Sequence, residues 1–153
     1  MINKLALTAV LLLSIPAVAG DSGRTYIVGE RPASTASLPF SNGVLVGNTL
    51  YVGGHLGLDP ATSQAPADPK TEAQLVMDAI KKTVEQAGLS MDDLVSVTVF
   101  CTDLKLYDTF NTVYRSYFKG NFPARAFIGA ATLLRGAHYE VLGVAVRPTR
   151  KKA

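Results

Sequence analysis

At 153 residues the chain has the length of one domain, enough for a real core and too little for two ordinary ones. An apolar content of 48% with 18% charged residues excludes a disordered chain. The net charge of +3 gathers in Arg147, Arg150, Lys151 and Lys152. A solvated tail explains those residues better than a nucleic-acid site, so no nucleic-acid partner is expected.

Residues 1–19 read as a signal peptide. Lys4 forms a positive start, residues 5–15 an apolar run, and Ala17-Val18-Ala19 a small-residue cleavage site before Gly20. The run is interrupted by Ser14 and Pro16 and is too short for a membrane span. The expectation is a single domain over 20–153, secreted or periplasmic, with no membrane attachment after cleavage. Beyond it, residues 26–28 suggest a short edge strand and 31–39 a loop of small residues and prolines. Residues 43–47 and 50–54 read as a hairpin across a tight Gly47-Asn48 turn. Glycines 53 and 54 leave the end of its second strand without side chains, open to close approach by a ligand or another chain.

After a loop over 58–69, the spacing predicts a helix over 71–87. Its core stripe is Leu75, Val76, Ala79, Ile80, Thr83, Val84 and Ala87, and Gly88 closes it. Residues 94–101 alternate as a strand, with Val95, Val97, Val99 and Cys101 on the inner face. A second helix, over 107–118, places Phe110, Tyr114 and Tyr117 on one packing face. The lone cysteine, Cys101, excludes an intramolecular disulfide and reads as a small buried hydrophobe. His55 reads as a hydrogen-bonded structural histidine. His55 and His138 with one cysteine give no metal-ligand spacing, so neither metal nor cofactor is expected.

Residues 122–146 carry most of the functional information. Pro123-Ala124 drives the chain into an extended path and delivers Arg125 to the mouth of two apolar runs that follow it, 126–131 and 139–146, which read as buried strands. A guanidinium held there can grip a carboxylate through two parallel hydrogen bonds. The alternative is an arginine that is solvated or paired with an acid such as Glu140. Helices on one face of a single mixed sheet follow from the element order. Strands apolar on both sides leave the other face in need of cover, which predicts a homo-oligomer.

Five segments in this order, Leu38-Pro-Phe-Ser-Asn-Gly43, Val52-Gly-Gly-His-Leu-Gly-Leu-Asp-Pro60, Val97-Thr-Val-Phe-Cys-Thr-Asp-Leu104, Phe110-Asn-Thr-Val-Tyr114 and Phe122-Pro-Ala-Arg125, resemble the RidA family, also called the YjgF/UK114 or L-PSP family. The resemblance implies an α+β, chorismate-mutase-like fold, a homotrimer, and ligand clefts between adjacent subunits. It also implies an imine/enamine deaminase that turns a 2-imino acid into a 2-keto acid and ammonia. In that scheme Arg125 holds the substrate carboxylate and Asn111 matches the asparagine of the second helix. Four positions depart from the family pattern. Its water-positioning acid on the last strand aligns with Leu142, with Glu140 two residues earlier and about 7 Å along the strand. The loop tyrosine becomes Phe40, a serine becomes Gly53 and a cysteine becomes Phe127. Losing a general base typically removes a factor of ~10²–10⁴ in rate. The alternative is therefore a non-catalytic trimer that binds small carboxylates, or a holdase-like protein.

Overall fold

The alternating and helix-periodic segments close into one six-stranded mixed sheet with two helices packed on one of its faces. The computed structural model describes residues 23–29 and 38–148. The expected signal peptide, the loop over 31–37 and the basic residues 150–152 lie outside the described residues. The strands are β1 (Arg24–Ile27), β2 (Gly43–Val46), β3 (Thr49–Leu56), β4 (Leu94–Cys101), β5 (Ala124–Gly129) and β6 (Tyr139–Val146), and the helices are α1 (Pro69–Gln86) and α2 (Tyr107–Arg115). Their order across the sheet is β1-β2-β3-β6-β4-β5. Only β4 and β5 run parallel; the other neighbours are antiparallel. Each helix follows a strand and returns the chain to the same sheet, so both apolar stripes meet one face.

Helix α1 starts two residues before its expected position because Asp68 and Pro69 form a natural opening. The Asp68 carboxylate accepts from the Lys70 and Thr71 amides and the Thr71 hydroxyl, and the proline occupies the first turn, where no amide is needed. At the other end Gly88 adopts φ +71°, and the amides of Gly88 and Leu89 return to the carbonyls of Glu85 and Val84. The buried stripe is rotated from the expected one. It comprises Glu72, Ala73, Val76, Met77, Ile80, Thr83 and Val84, while Leu75 and Ala79 border it, half-buried. Arg147, expected in a loose basic tail, donates to the Ala87 carbonyl at 3.0 Å and so caps the negative end of α1.

Beneath the helices lie Leu50, Val52, Leu94, Val97, Val99, Cys101, Tyr139, Val141 and Ala145, joined by Phe110, Val113 and Tyr114 of α2. Each large member contributes about 1.5–3 kcal/mol by leaving water. Two register shifts correct the simple alternation. A bulge between Leu94 and Ser96 turns Val95 outward, and Leu94 takes the inner position. A second, between Val52 and His55, lets both residues face the helices. Strand β5 also differs from expectation. It begins at Ala124, lies at the sheet edge and is not fully buried, because only β4 flanks it.

The opposite face of the sheet has no covering layer within the described chain. Val44, Leu142 and Val144 are half-buried there, and Val46, Tyr51, Ile128 and Val146 are exposed.

Candidate functional site

Parallel pairing sets Arg125 opposite Val97 and Phe127 opposite Val99, so both side chains stand on the helix-covered face. There the Arg125 guanidinium lies 4.6 Å from the centroid of the Tyr114 ring and 5.7 Å from those of Tyr107 and Phe127. These rings hold a cation by their negative faces. A long hydrogen bond of 3.5 Å reaches the Tyr107 hydroxyl. The side chain is half-buried at the wall of a cleft of about 160 Å³ lined by Asn111, Tyr114, Arg115, Phe122, Pro123 and Arg125. Among the described residues no carboxylate lines it. The possible pairing with Glu140 does not form: Glu140 lies on β6, two strands away, and points to the open face with Phe100 and Leu56 as register neighbours.

The local sequence explains how the cleft is held open. After α2, Phe122 packs 6.2 Å from Tyr114 and 5.7 Å from Phe118, centroid to centroid, and fixes the approach to Pro123. The proline starts β5 in an extended path. Asn111 and Arg115, one helical turn apart, share the face of α2 that borders the cleft. The Tyr114 hydroxyl is buried and has no hydrogen-bond partner among the described residues. Burial pushes its ionisation up to about 12 against the pull of Arg125, so it is a neutral phenol over the physiological range.

The residues that the resemblance assigns to the site fall into separate groups within one chain. Arg125 and Asn111 meet at the cleft. Phe127 is adjacent but packs edge-on against Tyr107 and Phe110, at centroid distances of 5.0 and 5.6 Å, and forms an aromatic floor. Leu142 pairs with Thr98 on the open face of β6, two strand spacings or about 10 Å from β5. Gly53 lies on β3, one strand further, and exposed Phe40 precedes β2. At glycines 53 and 54 the close approach is made by the chain itself. A Cβ at Gly53 would sit 3.1 Å from the Ser41 carbonyl, and one at Gly54 would overlap the Glu140 carboxylate.

His55 is structural, as its sequence context suggested. Its Nδ1–H donates to the Gly53 carbonyl at 2.7 Å, and the buried Thr83 hydroxyl donates to Nε2 at 2.9 Å. Burial lowers its pKa, which favours this neutral ring. The thiol of Cys101, fully buried, donates to the Asp103 carbonyl at 3.1 Å, and burial raises its pKa away from nucleophilic use. Among the described residues no group of three or more His, Cys, Asp or Glu side chains could hold a metal ion.

Sequence reasoning missed Arg115 and the Glu72–His138 pair. Arg115 had a signal, since it falls one turn after Asn111. Glu72 had none, because an acid near a helix start reads as a solvated residue favoured by the helix dipole. Here it is fully buried. It accepts from the amides of His138 and Tyr139 at 2.6 and 2.8 Å and from His138 Nδ1 at 2.5 Å. The Glu72 carbonyl and side chain also fill the space that any Cβ at Gly57 would require.

Residues 30–147 match the family described as Endoribonuclease L-PSP. The chain is 36% identical over 122 residues to bovine 2-iminobutanoate/2-iminopropanoate deaminase, covering 79% of this chain and 89% of that one. The Escherichia coli K12 protein of the same name is 36% identical over 127 residues, with coverage of 81% and 98%. Among solved structures, E. coli TdcF with bound serine superimposes with a TM-score of 0.73 at 32% identity, covering 81% of this chain and 100% of that one.

Proposed function

The chain belongs to the Endoribonuclease L-PSP family, the RidA family, and on that premise we propose that it is an imine/enamine deaminase-type hydrolase with a modified pocket. The reaction adds water to a 2-imino acid and releases a 2-keto acid and ammonia. The observation that carries this reading is the half-buried Arg125, stacked on Tyr114 in a cleft that no carboxylate among the described residues of its own chain lines.

Arg125 binds the substrate carboxylate through its two parallel N–H groups, which sets the adjacent imine carbon in a fixed place. Water attacks that carbon and the C=N electron pair moves to nitrogen. The resulting tetrahedral amino alcohol takes a proton on nitrogen, and the C–N bond breaks as the carbinol oxygen re-forms a carbonyl. Asn111 orients the substrate from α2. A group that receives and returns protons is also needed. Leu142 has no ionisable group, and Glu140 is the sole carboxylate among the described strand residues on the open face, so we assign that part to Glu140.

Glu140 and Arg125 lie on opposite faces of one sheet, so a site using both requires two copies of the chain. Exposed Tyr51, Val46 and Ile128 on the open face support a homotrimer whose subunits bring the Glu140 region of one copy to the Arg125 cleft of the next. A monomer in light scattering at micromolar concentration would remove this site. Residues 1–19 support export and cleavage, which mass spectrometry tests by a mature start at Gly20.

The second reading is a trimer that binds small carboxylates without turnover. The apolar Leu142 and Phe40 favour it. The two separate by following imine decay, with 2-iminopropanoate generated in situ by an amino-acid oxidase. The deaminase accelerates decay, Arg125→Ala and Glu140→Gln abolish the acceleration, and Leu142→Glu tests whether position 142 borders the pocket. No acceleration, with saturable carboxylate binding that Arg125→Ala abolishes, supports the binding protein.

A further inference from the structure

We infer that the cleft selects substrates with two negative groups, namely 2-imino dicarboxylates, and that Arg115 is the residue that recognises the second carboxylate. The inference deepens the deaminase reading and rests on it. Arg115 and Arg125 line the same cleft of about 160 Å³ from different elements, one from the last turn of α2 and the other from β5. Each guanidinium rests on an aromatic ring of the wall, Arg115 at 5.7 Å from the Phe122 centroid and Arg125 at 4.6 Å from that of Tyr114. Neither pairs with a carboxylate among the described residues. Asp108, the nearest acid before Asn111 on α2, is not among the lining residues.

Two like charges around one small cleft repel, and no described residue of the same chain in its wall offsets them. A ligand with one carboxylate neutralises only one. A dicarboxylate neutralises both, while the stacking rings hold the guanidinium planes ready for in-plane hydrogen bonds. The two arginines have different settings and hence different duties. Arg125 is half-buried and fixed among three rings, suited to the carboxylate beside the reacting carbon. Arg115 is exposed, at the rim, and suited to a distal group at the end of a side chain. Asn111, one turn before Arg115 on α2, supplies a neutral hydrogen-bonding group on the same wall. Arg115 is thus a specificity residue, not a catalytic one.

The test compares imines generated in situ from aspartate and glutamate with those from alanine and 2-aminobutyrate. The wild type has a KM about fivefold or more lower for the dicarboxylic imines, the scale of one solvent-accessible ion pair. Arg115→Ala removes that difference with little change in kcat and leaves the monocarboxylic imines within about twofold, and Arg115→Glu reverses the preference. Equal KM values for both classes in the wild type, or a preference that survives Arg115→Ala, would overturn the inference while monocarboxylate turnover left the deaminase reading intact. Calorimetry with succinate and propionate covers the case in which no imine is hydrolysed. Succinate binding that is tighter than propionate binding and weakened by Arg115→Ala then upholds the subsite although the deaminase reading has failed. Equal binding of both ligands overturns it.

Discussion

Glu72 and Arg125 are both ionisable groups drawn out of bulk water, and the fold treats them differently. The Glu72 carboxylate, fully buried, receives three hydrogen bonds from the start of β6 and ties α1 to the strand at the middle of the sheet. Arg125 lies at the sheet edge against aromatic rings, with one long bond to the Tyr107 hydroxyl. A buried group with all its partners inside the chain serves the structure, because removing either side strands the other. A fixed cation without an anion is ready for an external one. The contrast separates the part of the molecule that holds the sheet from the part that we propose meets ligand.

The largest test of this contrast is Glu72→Ala. It leaves the buried Tyr139 amide, the half-buried His138 amide and the His138 ring without their acceptor and is expected to cost about 3–5 kcal/mol, read from urea unfolding. A loss below about 1 kcal/mol would mean that these donors find other partners. Arg125→Ala should do the reverse, lowering imine turnover by ~10²–10³ while the unfolding midpoint stays close to that of the wild type. If stability fell as far as activity, Arg125 would belong with Glu72 as a structural charge.

Tyr114→Phe is a smaller probe of the cleft. Removing a buried hydroxyl that lacks a partner should raise the stability of the free protein by up to about 1 kcal/mol and leave carboxylate binding close to that of the wild type. Destabilisation would show that the hydroxyl is bonded in solution. The smallest effect concerns His55. Its folded pKa is lowered, so between the folded value and the unfolded value near ~6.5 the unfolded chain binds more protons, and stability rises with pH. The contribution is complete above that range and is lost as pH falls below it. Urea midpoints from pH 7 to pH 5 should therefore decline, and His55→Gln should make the decline shallower.

Much of the fold was legible because its signals are local. The Gly47 turn, the periodicity of α1 with Gly88 at its end, and the alternation of β4 each depend on neighbours a few residues apart. Pro123-Ala124 likewise announced an extended segment carrying Arg125. The errors came where register decided the outcome. Val95, expected on the inner face, turned out because a single-residue bulge inverts the parity that sequence alternation assumes. The helix stripe was misplaced at Glu72 because only an acceptor-hungry strand start, 66 residues away in the chain, makes burial of an acid tolerable.

The same division applies to the site. The sequence by itself determined the layered α+β arrangement, the extended entry to Arg125 and the chemistry that a guanidinium there can perform. Only the tertiary structure decided which face Arg125 occupies, that Arg115 shares its cleft, and that Leu142, Gly53 and Phe40 lie elsewhere in the same chain. The physical reason is that side-chain direction in a sheet follows from pairing register and strand order, which are set by contacts between distant segments.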